Sequence, residues 1–162
     1  MTNRFLAAFG IGIVCIAVAV AGILYMQRGA HLALPAKVLK VRTAPLDENS
    51  SVVVIDFRAG NSSDYPFVVR TVDVLMEDSA GTQYHGATAA ETDAKRLFEG
   101  LPILGQKFND TLIIKEKIAP HATIDRMVAS RFEAPESKLA SRKRFIVRVE
   151  EIDGKVFEIS EK

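Results

Sequence analysis

Phe5 to Met26 reads FLAAFGIGIVCIAVAVAGILYM, an apolar run with no Asp, Glu, Lys, Arg or His. Coiled as a helix at about 1.5 Å per residue it rises roughly 33 Å, close to the ~30 Å hydrocarbon core of a bilayer. A core helix of a small soluble domain carries a polar stripe, and this one is apolar on every side. The run therefore predicts a single transmembrane helix. Residues 1–4 are then a short tail, 5–26 the anchor, 27–36 a tether closed by Pro35, and 37–162 the domain outside the lipid.

A cleaved secretory signal is the competing reading, because Ala17-Val18-Ala19 and Ala19-Val20-Ala21 have the small-x-small form of a cleavage site. The apolar run continues past both through Gly22 to Met26, which favours a retained signal anchor. Cys15 is preceded by the bulky Val14 and followed by apolar residues, unlike a lipoprotein cysteine. Gly10, Gly12, Ala17, Ala21 and Gly22 are small enough to let a second helix approach. The basic residues beyond the anchor (Arg28, Lys37, Lys40, Arg42) favour the cytoplasmic side by count. The short basic start and the ease with which long domains translocate favour the opposite side. The expectation is a single-pass membrane protein with an extracytoplasmic domain.

The bulk numbers narrow the rest. Lys and Arg total 21 and Asp and Glu total 20, and only Arg4 precedes the anchor, so the remainder is formally neutral. A neutral domain has no electrostatic case for nucleic acid. The one cysteine, Cys15, lies in the apolar run, so no disulfide staples the domain.

Along that domain, strand signals alternate with turn chemistry. Lys37–Thr43 is a first strand. Ser51–Ala59 places Val53, Ile55, Phe57 and Ala59 on one face and Asp56 and Arg58 on the other. Tyr65–Met76 alternates Val68, Arg70, Val72, Val74 and Met76 against Val69, Thr71, Asp73 and Leu75. Asp78–Gly81 turns into an edge strand at Thr82–Ala87. Thr88-Ala89-Ala90-Glu91 has the form of a capping box opening one short helix, stopped by Gly100 and Pro102. Thr111–Ile118, with Leu112, Ile114 and Ile118 inward, then Thr123–Glu133, a strand around Phe145–Val149, and Lys155–Ser160 behind an Asp153-Gly154 turn complete the set. About seven strands with turns every eight to twelve residues predict a mostly β fold, an antiparallel β-sandwich.

The stretch SVVVIDFRAGNSSDYPFVVRTVDVLMEDSAG, with Asn61 and Pro66 at its turn, resembles the immunoglobulin-like sandwich of the late-embryogenesis-abundant, water-stress-type domains and of similar single-helix-anchored bacterial envelope domains. The resemblance covers about thirty residues and carries over no catalytic residue. It implies an immunoglobulin-like topology and a binding, protective or accessory role.

Chemistry-bearing motifs do not emerge. His31, His85 and His121 have no partners at metal-ligand spacing, and no nucleophile elbow, P-loop or H-E-x-x-H occurs. The expectation is a chain without enzymatic activity, cofactor or metal. Asn49, Asn61 and Asn109 fit the glycosylation acceptor pattern and read more simply as turn residues. Two segments are candidate contacts. Leu97–Gly105 is apolar for a connection, so Phe98, Leu101, Ile103 and Leu104 either bind a partner or plug the open end of the sandwich. Arg142, Lys143 and Arg144 either meet lipid headgroups or form a solvated, counter-charged loop. The function expected is an uncharacterised membrane-anchored binding or accessory domain at the membrane surface, its partners the bilayer and a membrane or envelope protein. The alternative is an assembly subunit of an envelope complex that contacts its partners through the transmembrane helix.

Overall fold

The computed structural model describes residues 2–27 and 34–161, and side chains within 9–22 and 34–161. The chain divides into two compact units, Met1–His31 and Leu32–Lys162. The first is helix α1, Thr2–Gln27, which contains the predicted run Phe5–Met26. Among the described residues no helix is long and apolar enough to cross a membrane, so the spanning role expected for this segment has no support in the fold itself. Arg28 and His31 of the expected tether lie outside the described residues.

The second unit is mostly β. Its strands are β1 (Ala36–Pro45), β2 (Ser51–Gly60), β3 (Phe67–Glu77), β4 (Gln83–Thr88), β5 (Asp110–Thr111), β6 (Lys117–Ile118), β7 (Thr123–Phe132), β8 (Arg144–Glu151) and β9 (Val156–Ser160). Hydrogen bonding runs in the order β1-β2-β7-β4-β3-β8-β9. The sheet curls on itself, so β1-β2-β7 form one layer and β4-β3-β8-β9 the other. All pairs on this path are antiparallel; β5, off the path, runs parallel to β7. The domain is thus a β-sandwich. Its packing begins before Lys37, since Leu34 is buried and the Pro35 carbonyl accepts from Gly60 N–H at 2.9 Å.

The layers are joined by β4. Its first four residues pair with β3 and its last two with β7, so it bridges the layers where the sequence suggested an edge strand. Gly86 sits at the changeover. A Cβ there would meet the Ser130 hydroxyl and lie 2.7 Å from the Phe132 ring, which is itself packed on Phe145. Gly86→Ala is therefore expected to cost about 1–3 kcal/mol through overpacking, read as a lower melting temperature of the full-length chain.

The interior takes the residues that period-two patterning selects. Val53, Ile55, Phe57 and Ala59 of β2 meet Val74 and Met76 of β3, Val128 of β7, and Phe145, Val147 and Val149 of β8. In β3 the alternation changes phase. A register irregularity between Val69 and Thr71 puts Phe67 and Val69 inward before it and Val72, Val74 and Met76 inward after it. Val68, expected on the face of Val72, is consequently on the opposite side.

Three further expectations are corrected. Helix α2 spans Glu91–Gly100 and its N-cap is Ala90, without a side-chain cap bond. Thr88 is held in register opposite Ser130 as the end of β4, so the capping box does not form. A second short helix, α3 (Glu136–Ala140), joins β7 to β8. The predicted strand Thr111–Ile118 is two bridges, β5 and β6, separated by a tight turn with Lys115 at φ +66°. Leu112 and Ile118 are buried there, as expected, but Ile114 is exposed.

β1 and β9 end the hydrogen-bonded path, and among the described residues no further strand pairs with either. Lys37, Lys40 and a bulge between Val38 and Lys40 roughen the edge of β1, the devices by which open edges resist pairing with other chains.

Candidate functional site

β2 is buried on both faces, which its alternating charges do not foretell. A second apolar cluster lies outside the sandwich, on the outer face of β1-β2-β7. Ala44, Val52, Val54, Met127 and Ala129 are covered there by Ala94 of α2 and by Leu104 of a 3-10 turn, Pro102–Leu104. Leu97, Phe98 and Leu101 pack against this cluster. The Leu97–Gly105 segment is thus a lid on an outer sheet face, not a plug at the end of the sandwich.

What fixes this cap is Arg42 on β1. Its guanidinium Nη2 donates to Asp56 Oδ2 at 2.6 Å, and both side chains are shielded from water. Its Nη1 donates to the carbonyls of Leu104 and Gln106, each at 2.7 Å. The cation also lies 5.0 Å from the Phe98 ring centroid and 5.4 Å from that of Phe108. Asp56 Oδ1 accepts from Asn109 Nδ2 at 2.9 Å. One ion pair therefore holds the 3-10 turn and the following loop on the sheet. Arg42 and Asp56 come from adjacent strands 14 residues apart, and nothing in their separate alternation patterns marks them as a pair.

The four predicted contact residues take different positions on this cap. Leu104 is buried, Phe98 and Leu101 are half-buried against the cluster, and Ile103 is 71% exposed. Phe108, which the sequence did not single out, is 60% exposed. Beside α2 lies an open groove of about 370 Å³ lined by Leu46, Leu97 and Leu101, with Asp93, Arg96 and Arg131 also along it. The combination is an apolar face on a braced backbone with a charged border.

The basic segment is spent within the fold. Arg142 donates to Glu161 through Nε and Nη2 at 2.9 and 2.7 Å, while Lys143 and Arg144 both donate to Glu77, at 2.6 and 2.7 Å. Lys138 lies over the Tyr84 ring and Arg148 pairs with Glu158. Glu77 ends β3, and the strand order puts it at the end of the sandwich away from Pro35.

The two cations hold the Glu77 carboxyl below its ordinary range, first through the Lys143 and then through the Arg144 hydrogen bond. Asp78 is likewise depressed, chiefly by the Thr82 amide, and Asp125 by Arg58. A carboxyl depressed in the folded state contributes stability that is complete above its unfolded value and is lost as the pH falls through the folded value. The melting temperature is therefore expected to be level at neutral pH and to fall on acidification below the ordinary carboxylate range of about 4. Glu77→Gln is expected to lower stability at neutral pH and to make that acid slope shallower.

His121 meets Asp64 at 2.9 Å in an exposed loop, and His85 lies on β4. Among the described residues no group of three or more His, Cys, Asp or Glu is placed to hold a metal ion. Asn61, one of the three acceptor-pattern asparagines, is 2% exposed and fully engaged in hydrogen bonding, so in the folded domain it is a structural residue.

No family model matches the chain, and no curated protein sequence matches it. Three solved structures are similar at a distance. An uncharacterised β-sandwich protein from Clostridium difficile has 13% identity over 80% of this chain and 85% of its own, with a TM-score of 0.38. A Bordetella pertussis protein given the name ApaA has 15% identity over 81% of this chain and 89% of its own, with a TM-score of 0.37. The Iho670 flagellar-like filament has 12% identity over 94% of this chain and 96% of its own, with a TM-score of 0.35. Likeness at this level assigns no function, and membership of the water-stress family is not supported by it.

Proposed function

We propose that this chain is a membrane-tethered, non-enzymatic binding domain that presents the α2 cap to a protein partner at the membrane surface. The observation that carries the reading is the bracing of the Pro102–Leu104 turn by Arg42, which leaves Ile103 exposed on a backbone fixed at two carbonyls. An apolar side chain held rigidly in water loses little conformational entropy on docking, and such anchors dominate interface energetics.

The tethered part of the reading rests on the Phe5–Met26 run, whose length and composition suit a bilayer. Only residues 28–33 lie between Gln27 of α1 and the buried Leu34, a reach of at most about 25 Å when extended, so a domain behind such an anchor works close to the lipid. An extracytoplasmic side is part of the proposal, and protease accessibility in intact spheroplasts reads it directly. The strand order, β1-β2-β7 facing β4-β3-β8-β9, fits the immunoglobulin-like arrangement that the water-stress-type resemblance implies.

The test is site-specific photocrosslinking in native membranes. A crosslinker at Ile103 or Phe108 is expected to give a discrete adduct, and one at Ile152, exposed in the β8-β9 turn, is not. Replacing Phe5–Met26 by an unrelated apolar helix is expected to leave the Ile103 adduct unchanged; its loss supports the reading in which the helix itself contacts an envelope complex. No adduct at either position on the cap refutes the proposal.

A further inference from the structure

We propose that the end of the sandwich where Leu34 and Pro35 enter it rests on the lipid interface, with Tyr65 and Ile152 as the side chains that meet the bilayer. The inference builds on the tethered reading above and names the face of the domain that the lipid covers. Hydrogen bonds gather this end. The Gly60 amide donates to the Pro35 carbonyl, and Asn61 Nδ2 donates to the carbonyls of Tyr65 and Ala119. β3 starts here at Phe67, and the β8-β9 turn closes beside it, with the Ile152 amide donating to the Val68 carbonyl at 3.0 Å. The short link from Gln27 to Leu34 holds this end near the lipid. Glu77, at the other end of β3, lies roughly 33 Å further along the strand.

Two large apolar side chains stand in water at this end, Tyr65 at 60% and Ile152 at 58% exposure. Both are carried on fixed backbone. The Tyr65 carbonyl accepts from Asn61 Nδ2 at 2.7 Å and from the Ser63 hydroxyl at 2.8 Å, and Ile152 is tied to β3. A tyrosine suits the headgroup layer, because its ring enters the apolar side while its hydroxyl stays wet. Charges around the two nearly cancel: Lys37, Lys117 and Lys155 stand against Asp64 and Asp153, and Arg58–Asp125 and Arg70–Glu150 are ion pairs. The contact is therefore apolar and needs no anionic lipid. The Glu77 end differs, since its cations Arg142, Lys143 and Arg144 are committed to Glu161 and Glu77. Lipid contact thus belongs to the end opposite the basic segment.

The chain contains no tryptophan, so a single introduced one reports depth by its fluorescence. The full-length chain is reconstituted in phosphatidylcholine vesicles, with and without lipid brominated near the top of its acyl chains. Tyr65→Trp and Ile152→Trp are expected to emit further to the blue than Ala80→Trp, in the exposed turn after Glu77, and to lose emission to the brominated lipid while Ala80→Trp does not. Adding Tyr65→Asp to Ile152→Trp is expected to reduce that loss at unchanged melting temperature, since both positions are exposed. Val18→Trp in α1, read against lipid brominated deep in the chains, tests the anchor separately. Quenching at Val18→Trp with none at Tyr65→Trp and Ile152→Trp overturns the contact and leaves the tether standing. An unquenched Val18→Trp refutes the tether, and the contact with it. Quenching of Ile152→Trp that Tyr65→Asp leaves untouched, or that Ala80→Trp shares, also overturns the contact.

Discussion

Replacing Asp56 with alanine is expected to destabilise the domain by about 3–5 kcal/mol, because it strands a buried guanidinium without its counter-ion. Asp56 is 2% exposed, and its two oxygens serve Arg42 and Asn109. The loss reaches beyond one contact, since Arg42 also fastens the 3-10 turn through Leu104 and Gln106. Hydrogen exchange of the full-length chain should show the 102–109 segment losing protection first. The double variant Arg42→Met with Asp56→Leu is expected to recover much of the global stability, as paired apolar replacements of buried ion pairs commonly do. It should not restore protection at the turn, whose carbonyls then lack the Arg42 donor. A cost below about 1 kcal/mol for Asp56→Ala, the range of exposed ion pairs, contradicts this assignment.

The second large effect belongs to Asn61. Its Nδ2 donates to the carbonyls of Tyr65, Ile118 and Ala119, at 2.7, 3.1 and 3.2 Å. Its Oδ1 accepts from the Ser63 amide and hydroxyl at 3.1 and 2.7 Å. One side chain thus latches the β2-β3 connection to the β6-β7 connection at the end of the sandwich where Pro35 enters. Asn61→Ala leaves several buried polar groups unpaired at once and is expected to cost about 3 kcal/mol. Asn61→Asp should cost at least as much, because a carboxylate has no hydrogen to give the three carbonyls. Denaturant unfolding of the full-length chain measures both; near-neutral values would show the latch to be incidental.

Part of this architecture is written locally in the sequence. The inward set of β2 was legible because Val53, Ile55, Phe57 and Ala59 alternate without interruption. The turns at Gly81 and Gly154 were legible because both glycines take positive φ, at +86° and +85°. α2 was visible from its spacing, but its start was misplaced, since Thr88 serves the sheet before it can serve the helix. The β3 irregularity and the split of Thr111–Ile118 were not visible, because patterning assumes an unbroken strand. α3 has five residues, too few for periodicity to register.

The candidate site was legible only in outline. Leu97–Gly105 stood out as apolar, but its use depends on Arg42, Asp56 and Asn109, residues that read singly as surface polar positions. The same holds for Arg142, Lys143 and Arg144, whose carboxylate partners Glu161 and Glu77 lie 19 and 66 or more residues away. Long-range electrostatic pairing has no local signature, so it became visible only in the fold.

Membrane attachment is the claim on which the proposed role depends, and alkaline carbonate extraction of membranes carrying the intact chain tests it most directly. The chain is expected to stay with the sedimented bilayer and to be released only by detergent. Recovery of the uncleaved chain in the carbonate supernatant, as a soluble monomer, contradicts it.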